Sequence, residues 1–195
     1  MRSAKVNRKT RETDIKIKIN IDGAGKSRIN SQIGFLSHML ETFAKHGLFD
    51  IDAEIKGDVH VDQHHTVEDT GIALGQAFKN GLGNKKGLRR AGFFIYPMDE
   101  ALVLAAIDLS GRPYLKMDAK FKGKKIGDLY IDSLEDFFQG FVSALGANLH
   151  IKVYYGRSDH HKVEAIFKAF GRSLYQACEI ERRLKGKIPS TKGQL

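Results

Sequence analysis

Two short stretches of this sequence are nearly the same, and they decide the fold. The first is Asp62-Gln63-His64-His65-Thr66-Val67-Glu68, and the second is Asp159-His160-His161-Lys162-Val163-Glu164, whose histidines lie 96 residues further along the chain. In both halves the motif follows an apolar helical stretch and a strand, and it opens a second helix. A period of about half the chain indicates duplication of a half-domain rather than a solenoid. We therefore predict an α+β fold in which residues 1–195 form one domain of two structural repeats, about 1–90 and 91–195.

The spacing of apolar residues predicts the elements of each repeat. Ile15, Ile17, Ile19 and Ile21 alternate with polar residues, which is typical of a half-buried strand. By the same criteria the first half has strands over 15–21, 29–33 and 51–55 and helices over 36–47 and 64–78. The second half has strands over 101–107, 114–117 and 149–155 and helices over 133–147 and 159–184. His60 and His150 fall within predicted strands, where a structural role is expected.

Composition narrows the class of protein. The chain has 42% apolar and 28% charged residues, and its single cysteine, Cys178, excludes an intramolecular disulfide or a cysteine-rich zinc site. No apolar run reaches the roughly 20 residues of a membrane span, so we predict a cytoplasmic protein without a membrane partner. The net charge of +9 favours an anionic partner, which is either nucleic acid or a phosphorylated small molecule.

The repeated motif predicts a pair of metal sites. Residues i and i+4 lie on one face of a helix, so His64 with Glu68 can chelate one ion, as can the corresponding pair His160 and Glu164. The neighbouring histidines are rotated by about 100° and so serve a different ion. One ion then takes His64, Glu68 and His161, and the other takes His65, His160 and Glu164. Imidazole and carboxylate without thiolate favour Mn, Fe, Co or Zn.

Several longer motifs resemble one enzyme family, the imidazoleglycerol-phosphate dehydratases of histidine biosynthesis. The resemblance runs from Arg8 to Gly193, nearly the whole chain. It is carried by Arg8-Lys9-Thr10-Arg11-Glu12-Thr13, Gly34-Phe35-Leu36-Ser37-His38-Met39-Leu40, Asp62 to Asp69, Asp108-Leu109-Ser110-Gly111-Arg112-Pro113, His160 to Arg172 and Pro189-Ser190-Thr191-Lys192-Gly193. It implies two duplicated half-domains like the second domain of ribosomal protein S5, with helices packed on mixed β-sheets. It also implies a metal-dependent hydro-lyase that converts imidazole glycerol phosphate to imidazole acetol phosphate.

The resemblance implies a set of site residues. It implies two Mn²⁺ ions per active site, although other divalent transition metals also fit. The ligands of one ion are His38, His65, His160 and Glu164, and the ligands of the other are His64, Glu68, Asp136 and His161. The catalytic residues are Glu12, a candidate for proton transfer, His65 and Glu164. The substrate-binding residues are Glu12, His38, His46, His64, His65, Glu68, Arg90, Arg112, His160, Glu164, Lys168, Ser190, Thr191 and Lys192, of which Arg90, Arg112, Ser190 and Lys192 match phosphate-binding positions.

The resemblance also implies an assembly, and it leaves two alternatives to weigh. The family places its metal ions between subunits, so we expect a homo-oligomer, a 24-mer built from trimers, that binds no nucleic acid. The alternatives are an RNA-binding module of S5-like fold and a metal-dependent phosphatase. Asp136 is the one departure, because many relatives carry histidine and some carry glutamate at this position. The alternative role for Asp136 is simple capping of its helix.

Overall fold

The computed structural model describes residues 2–193. The first half contains β1 (Ser3–Lys9), β2 (Thr13–Asn20), β3 (Ser27–Ser31), α1 (Gly34–Gly47), β4 (Asp50–Gly57) and α2 (His64–Leu82). The second half contains β5 (Ala91–Met98), β6 (Ala101–Asp108), β7 (Tyr114–Asp118), β8 (Lys125–Ile126), β9 (Leu129–Tyr130), α3 (Ser133–Leu145), β10 (Asn148–Tyr155) and α4 (Asp159–Cys178). A short 3₁₀ turn follows at Arg182–Leu184.

The two halves form four-stranded sheets with the same topology. The strand order is β1-β2-β4-β3 in the first sheet and β5-β6-β10-β7 in the second. In each sheet the first three strands are antiparallel and the last strand is parallel to its neighbour. The registers also correspond, because Ile15 lies opposite Ile55 and Val103 lies opposite Val153. The predicted α+β fold with helices on mixed sheets is confirmed, and the shared topology is consistent with internal duplication.

The helices lie between the two sheets and form the core. Helices α1 and α2 pack on the first sheet, α3 and α4 pack on the second, and the pairs α1–α4 and α2–α3 join the halves. Phenylalanine rings fill this interface: Phe43 stacks on Phe170 at 4.8 Å, and Phe78 meets Phe141 edge-on at 6.0 Å. Gly71 allows α2 to approach α3 closely, since a Cβ there would lie 2.1 Å from a backbone oxygen. None of the helices within residues 2–193 is long and apolar enough to cross a membrane.

Several sequence-based boundaries were wrong. The last helix ends at Cys178 rather than residue 184, because Glu179 is extended and Ile180 then bridges to Leu88. The strand predicted over 29–33 ends at Ser31, since Ile33 is already the N-cap of α1. His60 lies in a turn between β4 and α2, and not in a strand.

Four strands were missed by the periodicity. Strand β1 is an edge strand with only two apolar side chains, so its alternation is weak. Strand β5 carries exposed Phe93, Ile95 and Pro97, which hide the period of two. Strands β8 and β9 have two residues each, too few for any periodicity to register. The hairpin that they form is inserted only in the second half.

Candidate metal centre

Each repeated motif forms the first turn of a helix, and nearby side chains hold it there. The Asp62 carboxylate accepts a hydrogen bond from the His64 backbone N–H at 2.8 Å. At the start of α4 the Ser158 hydroxyl accepts one from the His161 backbone N–H at 3.3 Å, in the extended conformation usual for an N-cap. These contacts satisfy backbone donors that a first helical turn leaves unpaired. The histidines therefore begin the helices and project from their exposed ends.

One compact candidate site joins helices α1 and α4. Glu164 Oε2 lies 3.2 Å from His160 Nε2 on the same helix and 3.9 Å from His38 Nε2 on α1. One donor atom from each of these three residues lies within 4.8 Å of the others. Phe35 packs between the histidines, with its ring 5.2 Å from His160 and 6.1 Å from His38. We call His38, His160 and Glu164 the His38 cluster.

A second, equivalent group lies between α2 and α3. Asp136 occupies the place in α3 that His38 occupies in α1, and its Oδ2 lies 3.3 Å from His64 Nδ1. Glu68 Oε2 lies 3.7 Å from the other nitrogen of the same ring, Nε2. We call Asp136, His64 and Glu68 the Asp136 cluster. It is more open than the His38 cluster, because its two carboxylates face different ring nitrogens.

His65 and His161 face other carboxylates within the single chain. His65 Nδ1 lies 3.2 Å from both oxygens of Asp58, and this hydrogen bond raises the pKa of the imidazole. His161 Nδ1 lies 2.7 Å from Glu100, which likewise raises the pKa of His161. The hydrogen bond from His161 and backbone N–H groups lower the pKa of Glu100 to about 2. The exposed carboxylate of Asp99 lies 3.7 Å from His161 Nε2.

A row of charged and aromatic groups extends the His38 cluster along α4. Lys168 Nζ lies 2.9 Å from Glu164 Oε1 and 5.4 Å from the centre of the Tyr96 ring. Burial opposes ionisation of Glu164, but the bond from Lys168 and nearby positive charge outweigh it and lower the pKa of Glu164. Burial, reinforced by the charges of Lys168 and Arg172, lowers the pKa of His46. His46 lies edge-on to Tyr96, and the ammonium group of Lys168 near the same ring could bind an anion.

Arg90, a predicted phosphate-binding residue, lies at the other end of α4, where its backbone N–H donates to the Ala177 carbonyl at 3.0 Å. The Arg90 guanidinium forms a two-point ion pair with Asp108, at 2.6 and 3.0 Å, and donates to the Pro189 carbonyl at 2.9 Å. Arg90 is thereby brought beside the tail segment that carries Ser190, Thr191 and Lys192. The backbone of Arg90 has a positive φ of 74°, which is strained for a residue with a side chain. Such strain is common at functional positions.

Arg112 is exposed, and its side chain contacts its own turn. Its Nη1 donates weakly to the Ser110 carbonyl at 3.4 Å, while its own carbonyl accepts a bond from Asn148 at 2.6 Å. The turn is therefore held by its backbone, and the guanidinium remains available. Glu12 is similarly open, with 53% of its side chain exposed, and lies 3.9 Å from His65 Nδ1.

Sequence reasoning missed the carboxylates that hold His65 and His161. Asp58 belongs to no recognisable motif. Glu100 lies in a two-residue turn between β5 and β6, and β5 was not predicted. The only available signal was the acidic turn Asp99-Glu100 in front of an apolar strand. To recognise this signal, one needs the alignment of β6 with β2, which makes Glu100 the counterpart of Glu12.

The fold and these side chains define a class of protein, a duplicated α+β protein whose histidine and carboxylate side chains form groups that could hold a metal ion. The profile of the imidazoleglycerol-phosphate dehydratase family matches residues 31–174. The chain belongs to that family, and it is an enzyme, a hydro-lyase of histidine biosynthesis.

Similar proteins extend the match over the whole chain. Imidazoleglycerol-phosphate dehydratases from Koribacter versatilis and Acetivibrio thermocellus are 54% and 55% identical over 195 and 194 residues, covering 100% of this chain and 100% and 99% of theirs. Crystal structures of the enzymes from Staphylococcus aureus and Pyrococcus furiosus have TM-scores of 0.83 and 0.85 at 36% identity. They cover 91% and 97% of this chain, and 99% and 100% of their own chains.

Proposed function

We propose that this enzyme dehydrates imidazole glycerol phosphate to imidazole acetol phosphate with the help of two Mn²⁺ ions per active site. The observation that carries the proposal is the His38 cluster, together with the name that the matched relatives share. Ligand atoms about 2.1 Å from a single ion lie roughly 3–4 Å from one another. The separations of 3.2 and 3.9 Å fit this spacing, and the donor set suits a transition metal.

Each ion would be held by four side chains. We propose His38, His65, His160 and Glu164 as the ligands of one ion, and His64, Glu68, Asp136 and His161 as the ligands of the other. When bound, the metal ions would act as Lewis acids on the imidazole of the substrate. Other divalent transition metals would fit the same ligands.

The remaining roles fall to the chain's own acids and bases. We propose that Glu12 moves a proton at the reacting carbons, because its carboxylate is exposed and lies beside His65. His65 and Glu164 would act catalytically by binding both metal and substrate, and His46 and Lys168 would line the substrate site. The substrate phosphate would be anchored by Arg90, Arg112, Ser190, Thr191 and Lys192. Anchors remote from the reacting carbons hold a substrate in register without altering its chemistry.

The spacing of the proposed site residues along α4 supports a site that is shared between chains. The Arg90 N–H binds the Ala177 carbonyl at the end of α4, whereas His160 begins that helix. At 1.5 Å per residue, the two positions are separated by about 25 Å. A phosphate joined to an imidazole through three carbons is several-fold shorter. We therefore propose that the site forms between subunits of a homo-oligomer, a 24-mer built from trimers, in which residues 1–195 act as one catalytic domain.

The cellular setting completes the proposal. The single cysteine is buried, and its pKa is raised to about 12 by that burial, so it is an unreactive thiol. We propose that the enzyme works in the cytoplasm on a small-molecule substrate, without nucleic acid or membrane as a partner.

Product analysis tests the function. Purified enzyme, stripped with a chelator and then resupplied with Mn²⁺, should convert imidazole glycerol phosphate to a keto phosphate. We expect chelation to lower the rate by at least about 100-fold and Mn²⁺ to restore it, because the ions supply the Lewis acid. A parallel Glu164→Gln preparation serves as the inactive control. Free phosphate as product would favour a phosphatase, and an undiminished rate in metal-stripped enzyme would refute the metal-dependent mechanism.

A further inference from the structure

Glu12 and Glu100 occupy the same position in the two halves of the chain. Glu12 directly precedes β2 and Glu100 directly precedes β6, and these strands pair in the same register with β4 and β10. Each glutamate faces the second histidine of its own half. Glu12 Oε2 lies 3.9 Å from His65 Nδ1, whereas Glu100 Oε2 lies 2.7 Å from His161 Nδ1. Only the second pair is a hydrogen bond.

Both oxygens of Glu100 are engaged. Its Oε1 accepts hydrogen bonds from the backbone N–H groups of Arg157 and Ser158, at 3.1 and 2.7 Å. Its Oε2 faces His161 Nδ1. A carboxylate can only accept, so the imidazole must donate through Nδ1–H. A neutral ring with its proton on Nδ1 has its lone pair on Nε2, which is the form able to bind a metal.

The first half achieves the same result with a different residue. Six residues, 58–63, connect β4 to α2, whereas three residues, 156–158, connect β10 to α4. Asp58, the first residue of the longer connection, has both carboxylate oxygens 3.2 Å from His65 Nδ1, whereas the first residue of the shorter connection is Gly156, which has no side chain. Asp58 is 19% exposed and Glu12 is 53% exposed. The aspartate thus takes the place next to the ring and leaves Glu12 facing outward.

We propose that Asp58 and Glu100 are positioning residues that hold the Nδ1–H of the metal-binding histidines His65 and His161, so that Nε2 of each ring faces an ion. The proposal rests on the proposed function, in which both histidines are ligands. The two equivalent glutamates then have different roles. Glu100 orients a histidine, whereas Glu12 is free to move a proton of the substrate.

Glu100→Gln provides a sharp test. The backbone N–H groups of Arg157 and Ser158 retain the amide oxygen, so the amide NH₂ takes the place of Oε2 and donates to His161 Nδ1. The imidazole proton then moves to Nε2, and the ring can no longer ligate. We expect the affinity for one of the two Mn²⁺ ions per chain to fall about 10–100-fold, measured by competition with a fluorescent chelator. Glu41→Gln, at an exposed position on α1, is the matched control and should bind both ions normally.

Two further variants separate orientation from simple capping. Glu100→Ala lets water accept the Nδ1–H, so it should lose less metal affinity than Glu100→Gln. Asp58→Ala should lower the affinity for the other Mn²⁺ ion, which His65 binds. Unchanged Mn²⁺ affinity in Glu100→Gln, with only a lower thermal midpoint, would make Glu100 a helix cap and overturn the proposal while leaving the function intact. Wild-type enzyme that bound no Mn²⁺ would overturn the proposed function itself, and this proposal with it.

Discussion

At the residue scale, the difference between the two clusters comes down to one position. His38 and Asp136 are equivalent in α1 and α3, but one offers an imidazole and the other a carboxylate. The proposed ligand set of the Asp136 ion therefore has two imidazoles and two carboxylates, and that of the His38 ion has three imidazoles and one carboxylate. More oxygen ligands make a site harder and favour Mn²⁺ over softer ions. The two sites should thus differ in metal preference.

Replacement of Asp136 tests this difference. Each variant is equilibrated with equal concentrations of Mn²⁺ and Zn²⁺, and its metal content is measured. We expect Asp136→Ala to hold about one ion per chain fewer than the wild-type enzyme. Asp136→His should restore the ion and shift the content towards zinc. Glu135→Ala, which removes the adjacent carboxylate, is the control and should retain both ions. Full occupancy in Asp136→Ala would remove Asp136 from the ligands and leave it a surface residue of α3.

At the element scale, the β8–β9 hairpin ties the second half to helices of the first. Ile33, the N-cap of α1, has no capping side chain, and Asp128 in the hairpin turn takes over that role. Its two oxygens accept the backbone N–H groups of Gly34 and Phe35 at 2.6 and 2.9 Å. Gln63, just before α2, accepts the Tyr130 N–H at 3.1 Å. The hairpin therefore holds the starts of both helices of the first repeat.

Removal of the Asp128 carboxylate should loosen the first turn of α1. We expect Asp128→Ala to cost about 1 kcal/mol locally and to speed hydrogen exchange of the Gly34 to Leu36 amides about fivefold, measured on the full-length enzyme by mass spectrometry. Asp118→Ala is the control, because its ion pair with Lys152 is exposed, at 3.5 Å, and should contribute less than about 0.5 kcal/mol. Equal exchange in the two variants would show that the hairpin does not stabilise the helix.

The same cap has a predictable dependence on pH. Burial opposes ionisation of Asp128, but the N–H groups of Phe35 and Gly34 outweigh it and lower its pKa below the ordinary 3.8. A lowered pKa means that the folded state favours the charged form. The stabilisation is therefore complete above pH 3.8 and is lost as the pH falls through the lower folded pKa. In the wild-type enzyme, the protection of the first α1 amides against hydrogen exchange should therefore fall at acid pH. In Asp128→Ala this fall should be absent.

At the scale of the whole molecule, the distance between Arg90 and Glu164 leads to a complementation test. Arg90→Ala and Glu164→Gln should each be inactive alone. Co-expressed with different tags, the two chains should form mixed assemblies in which sites between subunits recover about a quarter of wild-type activity, because each site then draws its two halves from chains chosen at random. If each active site lay within one chain, every site would keep a defect. No recovery in isolated mixed assemblies would therefore contradict the shared site.

Much of the fold followed from the sequence because its determinants are local. The alternation of Ile15 to Ile21 and the helical spacing from Leu36 depend on neighbours within a few residues, and the helices did form at the repeated motifs. The pairing of His64 with Glu68 and of His160 with Glu164 is likewise a property of one helical turn. Local periodicity failed where strands were short or exposed, as at β5 and β8.

What the sequence determined by itself was the duplication and the chemistry of each motif, since both are written in residue identity and spacing. Only the tertiary structure decided which distant side chains meet. Packing of α1 on α4 brought His38 to Glu164, and the path of the chain after β4 placed Asp58 rather than Glu12 against His65. Such contacts join elements far apart in the chain, so no local pattern encodes them. They depend on how the helices pack between the two sheets.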